Sequence, residues 1–308
     1  MIYPRLNRVR NGQRLSVELV NGLIKRTEYA GDLLRQGKCL AGTDISVAQR
    51  YDGTTISGGG GGGRFNIVGT AVVGGITKGF LYDGSTFTII FVPGSTSTSA
   101  SDINGSNIVG YANAPTPRGY LYDGSSFTTF SYPGANQTFA FGIDGSSIVG
   151  YATIVTTIRG FIYNGSTFTD ISVPGSSSTF PFGIDGSNIV GSAFIGGTSR
   201  GFLYNGSTFT DIFVPGSTFT RANAIDGLNI VGNAIIGGIN RGFLYNGSTF
   251  TDIFVPGSTS TQALGTDGSN IVGTAGIGGI NVAFIYNGST FTTFSVPGST
   301  STQAFGIG

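Results

Sequence analysis

Tryptophan and histidine are absent, cysteine and methionine occur once each, and charged residues make up only 10% of the 308 residues. Without histidine no Ser-His triad can be assembled, and the two glutamates, Glu18 and Glu28, both lie near the N-terminus. The single Cys39 excludes an intramolecular disulfide framework. No apolar run approaches the ~18 residues of a membrane span. The opening stretch after Met1, IYPRLNRVRNGQRLS, has no apolar core and no small-residue cleavage site. That leads to the expectation of a chain made in the cytoplasm without a secretory signal and without membrane insertion. A low charge fraction together with 39% apolar residues, including 24 Phe and 13 Tyr, argues against a disordered chain. A packed core is therefore expected.

What the chain has in excess is glycine, 54 residues, six of them consecutive at Gly58–Gly63. These six separate two charge regimes. Residues 1–64 carry 10 Lys/Arg against 5 Asp/Glu, and residues 65–308 carry 6 against 10. In neither part do basic residues form a stripe of the kind that follows a phosphate backbone, so a nucleic-acid partner is not expected. The sequence thus divides into an N-terminal segment, 1–57, a flexible glycine linker, 58–63, and a large domain, 64–308.

The large domain repeats. IVG begins at Ile67, Ile108, Ile148, Ile189, Ile230 and Ile271, and Pro-Gly keeps the same period of about 41 residues from Pro93 to Pro297. One unit, Thr179 to Gly216, contains four short β-type runs, FPFGI, SNIVGSA, RGFLY and STFTDIFV, punctuated by Asp-Gly, a variable loop, Asn-Gly and Pro-Gly. Asp-Gly and Asn-Gly between apolar runs signal tight hairpins, read as two-residue type I′ turns. Six four-stranded units of this length predict a mainly β fold, a six-bladed β-propeller, with a trimeric β-spiral or stacked solenoid as the competing architecture. The first unit lacks its opening strand and the chain ends with a surplus one, TQAFGIG. The C-terminal strand near Ala304 to Ile307 is therefore expected to pair with Phe65 to Ala71 and close the ring.

Repeated polar residues favour structural over chemical roles. Arg159, Arg200 and Arg241 fall opposite Asp170, Asp211 and Asp252 if the hairpin turn has two residues, which predicts three cross-strand ion pairs; Lys78 and Arg118 have no such partner. Asp144, Asp185, Asp226 and Asp267 each stand alone in a turn, short of the converging oxygens a calcium loop needs. Asn164, Asn205, Asn246 and Asn287 read as turn formers, although Asn-Gly-Ser matches a glycosylation sequon. The glycine run lacks the strand, helix and lysine of a phosphate loop. No catalytic residue, metal or cofactor is predicted.

The Asp-Gly and Asn-Gly turns fall on one face of the ring and hardly vary; the loops after IVG and Pro-Gly fall on the other and diverge. Such divergence on a regular scaffold fits a recognition surface, though unconstrained drift would look the same. The candidate ligand-binding residues there are Asn113, Pro115, Asn136, Phe139, Ile154, Phe180, Phe219 and Arg221.

Before the linker, Gln13 to Gln36 reads as an amphipathic helix ended by Gly37. Leu15, Val17, Leu19, Val20, Leu23, Ile24, Leu33 and Leu34 form an apolar stripe too wide for a lone helix to bury, which predicts an attachment or oligomer face. The segment Tyr3 to Gln36 resembles the N-terminal attachment segment of fibre and spike proteins of tailed bacteriophages. The repeats AFGIDGS…IVG…GFLYNG are similar to the HAF-type repeats of bacterial extracellular proteins over residues 65–308, with Arg or Lys where those repeats carry histidine. The first resemblance implies a virion fibre or spike, homotrimeric as such fibres generally are, bound to other virion proteins and to a host cell-surface polysaccharide or protein. Two alternatives stay open: a bacterial surface adhesin, and a capsid-decorating protein without a receptor.

Overall fold

A computed structural model describes residues 65–308; the helix expected over Gln13 to Gln36, its apolar stripe and the expected glycine linker lie outside the described residues. The described chain is mainly β, six antiparallel sheets of four strands each, arranged as a six-bladed propeller. Blade 4 shows the pattern: Ser178–Asp185, Asn188–Ile195, Thr198–Tyr204 and Phe209–Ile212, from the axis outward. The first strands of the six blades, including Ser97–Asn104, Gln137–Asp144, Ser217–Asp226 and Ser260–Thr266, contact one another in a closed circle around the axis. The sixth place in that circle belongs to Ser299–Ile307, which pairs with Ile67–Val73, so blade 1 is assembled from both ends of the domain. No inner strand is left with an open edge.

Each IVG explains why its run is apolar on both sides. The Ile packs toward the preceding blade and the Val toward the following one: Val190 and Ile230 meet in one layer, Val231 and Ile271 in the next. Six such layers replace a single core, each completed by an aromatic side chain such as Phe243 or Phe284. Tyrosine and phenylalanine at directly paired positions, Tyr245 and Phe250 at 4.6 Å for example, lie ring against ring on the outer half of every blade.

A threonine ties each blade to the next. The Val214 N–H, where blade 4 leaves its outer strand, donates to the fully buried Thr220 hydroxyl at 3.1 Å, and the same bond recurs at Thr98, Thr138, Thr179, Thr261 and Thr302. Turn aspartates add a second tie: Asp144 accepts from the Gly186 N–H at 2.8 Å and Asp185 from the Gly227 N–H at 2.7 Å, one blade on.

Two turn assignments change. In the Asp-Gly-Ser turns of blades 3 and 4 the central pair is Gly-Ser, flanked for example by the paired Asp185 and Asn188, and only the glycine has positive φ, whereas in blade 6 Asp267 opens a four-residue loop between Thr266 and Ile271. In Asn-Gly-Ser-Thr the loop has four residues: Tyr245 pairs with Phe250, and the Asn246 side chain accepts the N–H groups of Ser248 and Thr249. That shifts the expected register by two, so Arg241 and Asp252 are diagonal neighbours, not opposite each other. The three Arg-Asp pairs form all the same, and Arg200 and Arg241 also lie over Phe213 and Phe254. All three pairs are substantially exposed, so their contribution is small. The two-glycine turns of blades 1, 4, 5 and 6, such as Gly237-Gly238, are the ones in which both central residues have positive φ. Blade 3 puts Val155 at this position with φ 56°, a conformation that strains a β-branched residue.

Two stability measurements follow. Thr220→Val, which keeps shape but strands the Val214 N–H, is expected to lower the urea-unfolding free energy by about 1–3 kcal/mol, with Thr220→Ser losing less. Val155→Gly is expected to raise it by about 1 kcal/mol.

Candidate functional site

The inner strands carry a β-bulge that decides what faces the axis. In blade 3, Ala140 pairs with Gly150 and Gly142 with Val149, which leaves Phe141 as the extra residue. The equivalents are Ser101, Phe182, Asn223, Leu264 and Phe305. All six bulged residues line one axial cavity of about 70 Å³. A bulge re-aims a side chain, and here six of them aim at one point.

Two residues earlier, nearer the variable face, a second layer pairs inner with second strands: Ser99 with Tyr111, Phe139 with Tyr151, Phe180 with Ser192, Arg221 with Asn233, Gln262 with Thr274 and Gln303 with Thr70. The ring is thus divided. Blades 2 to 4 form an aromatic wall in which Tyr111–Phe139, Phe139–Tyr151 and Tyr151–Phe180 contact at 4.9–5.0 Å. Blades 5, 6 and 1 contribute a guanidinium, amides and hydroxyls. In that half the Asn223 amide donates to the Ala263 carbonyl at 2.8 Å and to Asn233, whose own amide donates to Asn240 at 2.9 Å. The Thr274 hydroxyl is buried there without a protein partner.

Asp102 enters the same cavity from blade 2, at the position where four blades have glycine. Its carboxyl oxygens accept from the N–H groups of Ile103 and Ile143, both at 2.9 Å. Burial outweighs those bonds and pushes the carboxyl up to about 7, with the charge of Asp144 adding to the rise. Arg221 stands three blades away, over the Phe182 ring at 4.5 Å, and its Nε donates to Asn223 at 2.6 Å. Burial lowers its pKa.

Of the sequence candidates, Phe139, Phe180 and Arg221 are brought together at the axis; they belong to inner strands, not loops. Phe219 lies one step closer to the variable face on the strand of Arg221, paired with Ile235. Asn113 ends a second strand, donating to Ser97 at 2.7 Å, with its side-chain oxygen buried and unpartnered. Pro115 and Asn136 are exposed loop residues away from the axis, Asn136 accepting the Val155 N–H at 2.7 Å, and Ile154 is half-buried at a strand end. Sequence reasoning missed Asp102, Tyr111, Phe141, Tyr151, Phe182 and Asn223. For four of them the signal was departure from the repeat: aspartate for glycine at Asp102, asparagine at Asn223 where three blades have phenylalanine, and tyrosine after IVG at Tyr111 and Tyr151 only; Phe141 and Phe182 conform to the repeat and carried no such signal.

Among the described residues no group of three His, Cys, Asp or Glu side chains is placed to hold a metal. No protein-family model and no curated protein sequence matches the chain. Solved structures are similar in fold. The nidogen/laminin complex contributes a chain with 12% identity and a TM-score of 0.55, over 80% of this chain and 97% of that one. The β-propeller domain of the trilobed protease from Pyrococcus furiosus matches at 9% identity and a TM-score of 0.50, over 72% and 76%. At such identities the likeness shows the propeller fold alone.

Asp102 makes a pH dependence measurable. Its folded-state pKa near 7 lies above the ~3.9 of an unfolded aspartate, so between those values the unfolded chain releases a proton that the folded chain keeps. The stability contributed by Asp102 is therefore fullest below pH ~4, falls as pH rises toward 7, by up to ~1.4 kcal/mol per pH unit, and levels off above. Asp102→Gly, which restores the repeat, is expected to flatten the slope between pH 4.5 and 7.5 in urea titrations; an unchanged slope would assign it elsewhere.

Proposed function

We propose that this protein is a non-catalytic recognition protein whose propeller binds a cell-surface polysaccharide through the axial funnel and the variable face around it. The observation that carries this reading is the divided axial ring: an otherwise repetitive scaffold breaks its repeat where side chains converge, with aromatic faces on one side and amide and guanidinium donors on the other. Sugars present just these two surfaces, C–H faces that pack on aromatic rings and hydroxyls that pair with fixed amides. The variable face adds apolar contact area. Five of the seven large exposed hydrophobic residues among the described residues, Ile76, Val155, Phe194, Ile239 and Ile280, sit at or beside its hairpin turns, and of the seven only Leu228 sits at an Asp-Gly turn. The resemblance of Tyr3 to Gln36 to phage attachment segments supports placing the protein in a virion fibre or spike. There a weak single-site affinity would be multiplied by the number of copies on the particle.

Glycan-array binding of the full-length chain tests the reading. Saturable binding to a subset of polysaccharides is expected, reduced at least tenfold by Phe180→Ala with the thermal unfolding transition retained. No binding to any glycan, or binding indifferent to both Phe180→Ala and Phe139→Ala, would overturn it.

A further inference from the structure

Arg221 is a half-buried cation at the axial cavity with no counter-charge paired to it among the described residues. Of its guanidinium nitrogens only Nε has a protein acceptor among the described residues, the Asn223 side chain at 2.6 Å. The ion pairs of the described residues are Arg159–Asp170, Arg200–Asp211 and Arg241–Asp252; none involves Arg221. Asp102, the other charged group of the cavity, stands on the opposite blade with both oxygens taken by backbone N–H groups. The two terminal nitrogens of Arg221, a planar fork of four N–H donors, are thus left for something the described residues do not supply.

Such an arrangement is costly unless an anion completes it. Taking a guanidinium out of water forfeits hydration that a ring face restores only in part. Phe182 lies under the guanidinium at 4.5 Å, and Asn223 is fixed by its own bonds to Ala263 and Asn233, so the fork is held in one plane before any ligand arrives. The cavity beside it, about 70 Å³, has room for a carboxylate but not for a sugar ring. Phe139, Tyr151 and Phe180 stand one layer nearer the variable face, where a ring attached to that carboxylate would rest.

Building on the polysaccharide reading, we propose that the axial cavity is a carboxylate subsite, in which the Arg221 fork holds the acid group of a uronic-acid type of sugar whose ring packs on the aromatic wall. Arginine, not lysine, suits this role because its two terminal nitrogens match the two oxygens of a carboxylate. The next two blades, 6 and 1, show what the position holds when it has no such duty: Gln262 and Gln303.

Isothermal titration of the full-length chain with sodium glucuronate, glucose, sodium acetate and inorganic phosphate tests this, with Arg221→Gln as the variant because two blades already accept glutamine there. Glucuronate is expected to bind at least tenfold more tightly than glucose, acetate and phosphate, and Arg221→Gln is expected to abolish that preference while keeping its unfolding transition. Equal binding of glucuronate and glucose, an unchanged preference in Arg221→Gln, or acetate or phosphate binding as tightly as glucuronate would each overturn the acid-sugar subsite. If Arg221→Gln matches the parent chain on every polysaccharide of the array, the subsite fails and the recognition reading stands. If neither chain binds any glycan, both fail.

Discussion

Everything that faces the axis is placed there by one close contact, repeated six times: the carbonyl of an inner-strand residue lies against the glycine of IVG on the neighbouring strand. A Cβ at Gly150 would overlap the Phe139 carbonyl oxygen and come within 2.9 Å of the Phe161 ring, and Gly69, Gly110, Gly191, Gly232 and Gly273 are hemmed in the same way. That space lets the inner strand press inward just before its bulge, and the bulge turns Phe141 and its five equivalents toward the cavity. Any side chain at the glycine would force the strands apart and straighten the bulge. The glycine content is thus a condition for having an axial site at all, and in this stretch it limits flexibility instead of conferring it.

Repetition and variation divide along the same lines. Where blades meet, the sequence scarcely changes, because each Ile-Val pair, each buried threonine and turn aspartates such as Asp144 and Asp185 must fit a neighbour that is nearly a copy of itself. At the axis the geometry is different, since six side chains meet around a point and no one of them has to match another. The ring can therefore carry Arg221 in one blade and Phe180 in the next without disturbing the layers between them. The cost of doing so appears at Asp102 and Arg221, a carboxyl pushed up to about 7 and a guanidinium with a lowered pKa, both displaced by burial.

The fold was legible because its signals are local and periodic. IVG at about 41-residue spacing, the four strand-like runs and the turn glycines each report on a few neighbouring residues, and six repetitions reinforce them. Turn types were less legible, since whether Asn246 opens a two-residue turn or caps a four-residue loop depends on hydrogen bonds to Ser248 and Thr249 that the dipeptide alone does not specify. The threonine ties escaped notice although their spacing after Pro-Gly is constant, because a lone threonine in a β run looks like ordinary strand composition. The axial site was only half visible. Phe139, Phe180 and Arg221 stood out as divergent residues near a loop, but their convergence requires knowing which strand is innermost and where it bulges. Asp102 and Asn223 become conspicuous only once the bulge assigns them to the axial cavity.

The account rests on the claim that the bulged ring and Arg221 together form a site. A crystal structure of the full-length protein grown with sodium glucuronate tests it most directly. The account predicts the carboxylate against the terminal nitrogens of Arg221, with the sugar ring between Phe139, Tyr151 and Phe180 and the bulges unmoved. A ligand found only on the outer loops, or Arg221 turned away to a protein carboxylate with the cavity closed, would contradict it.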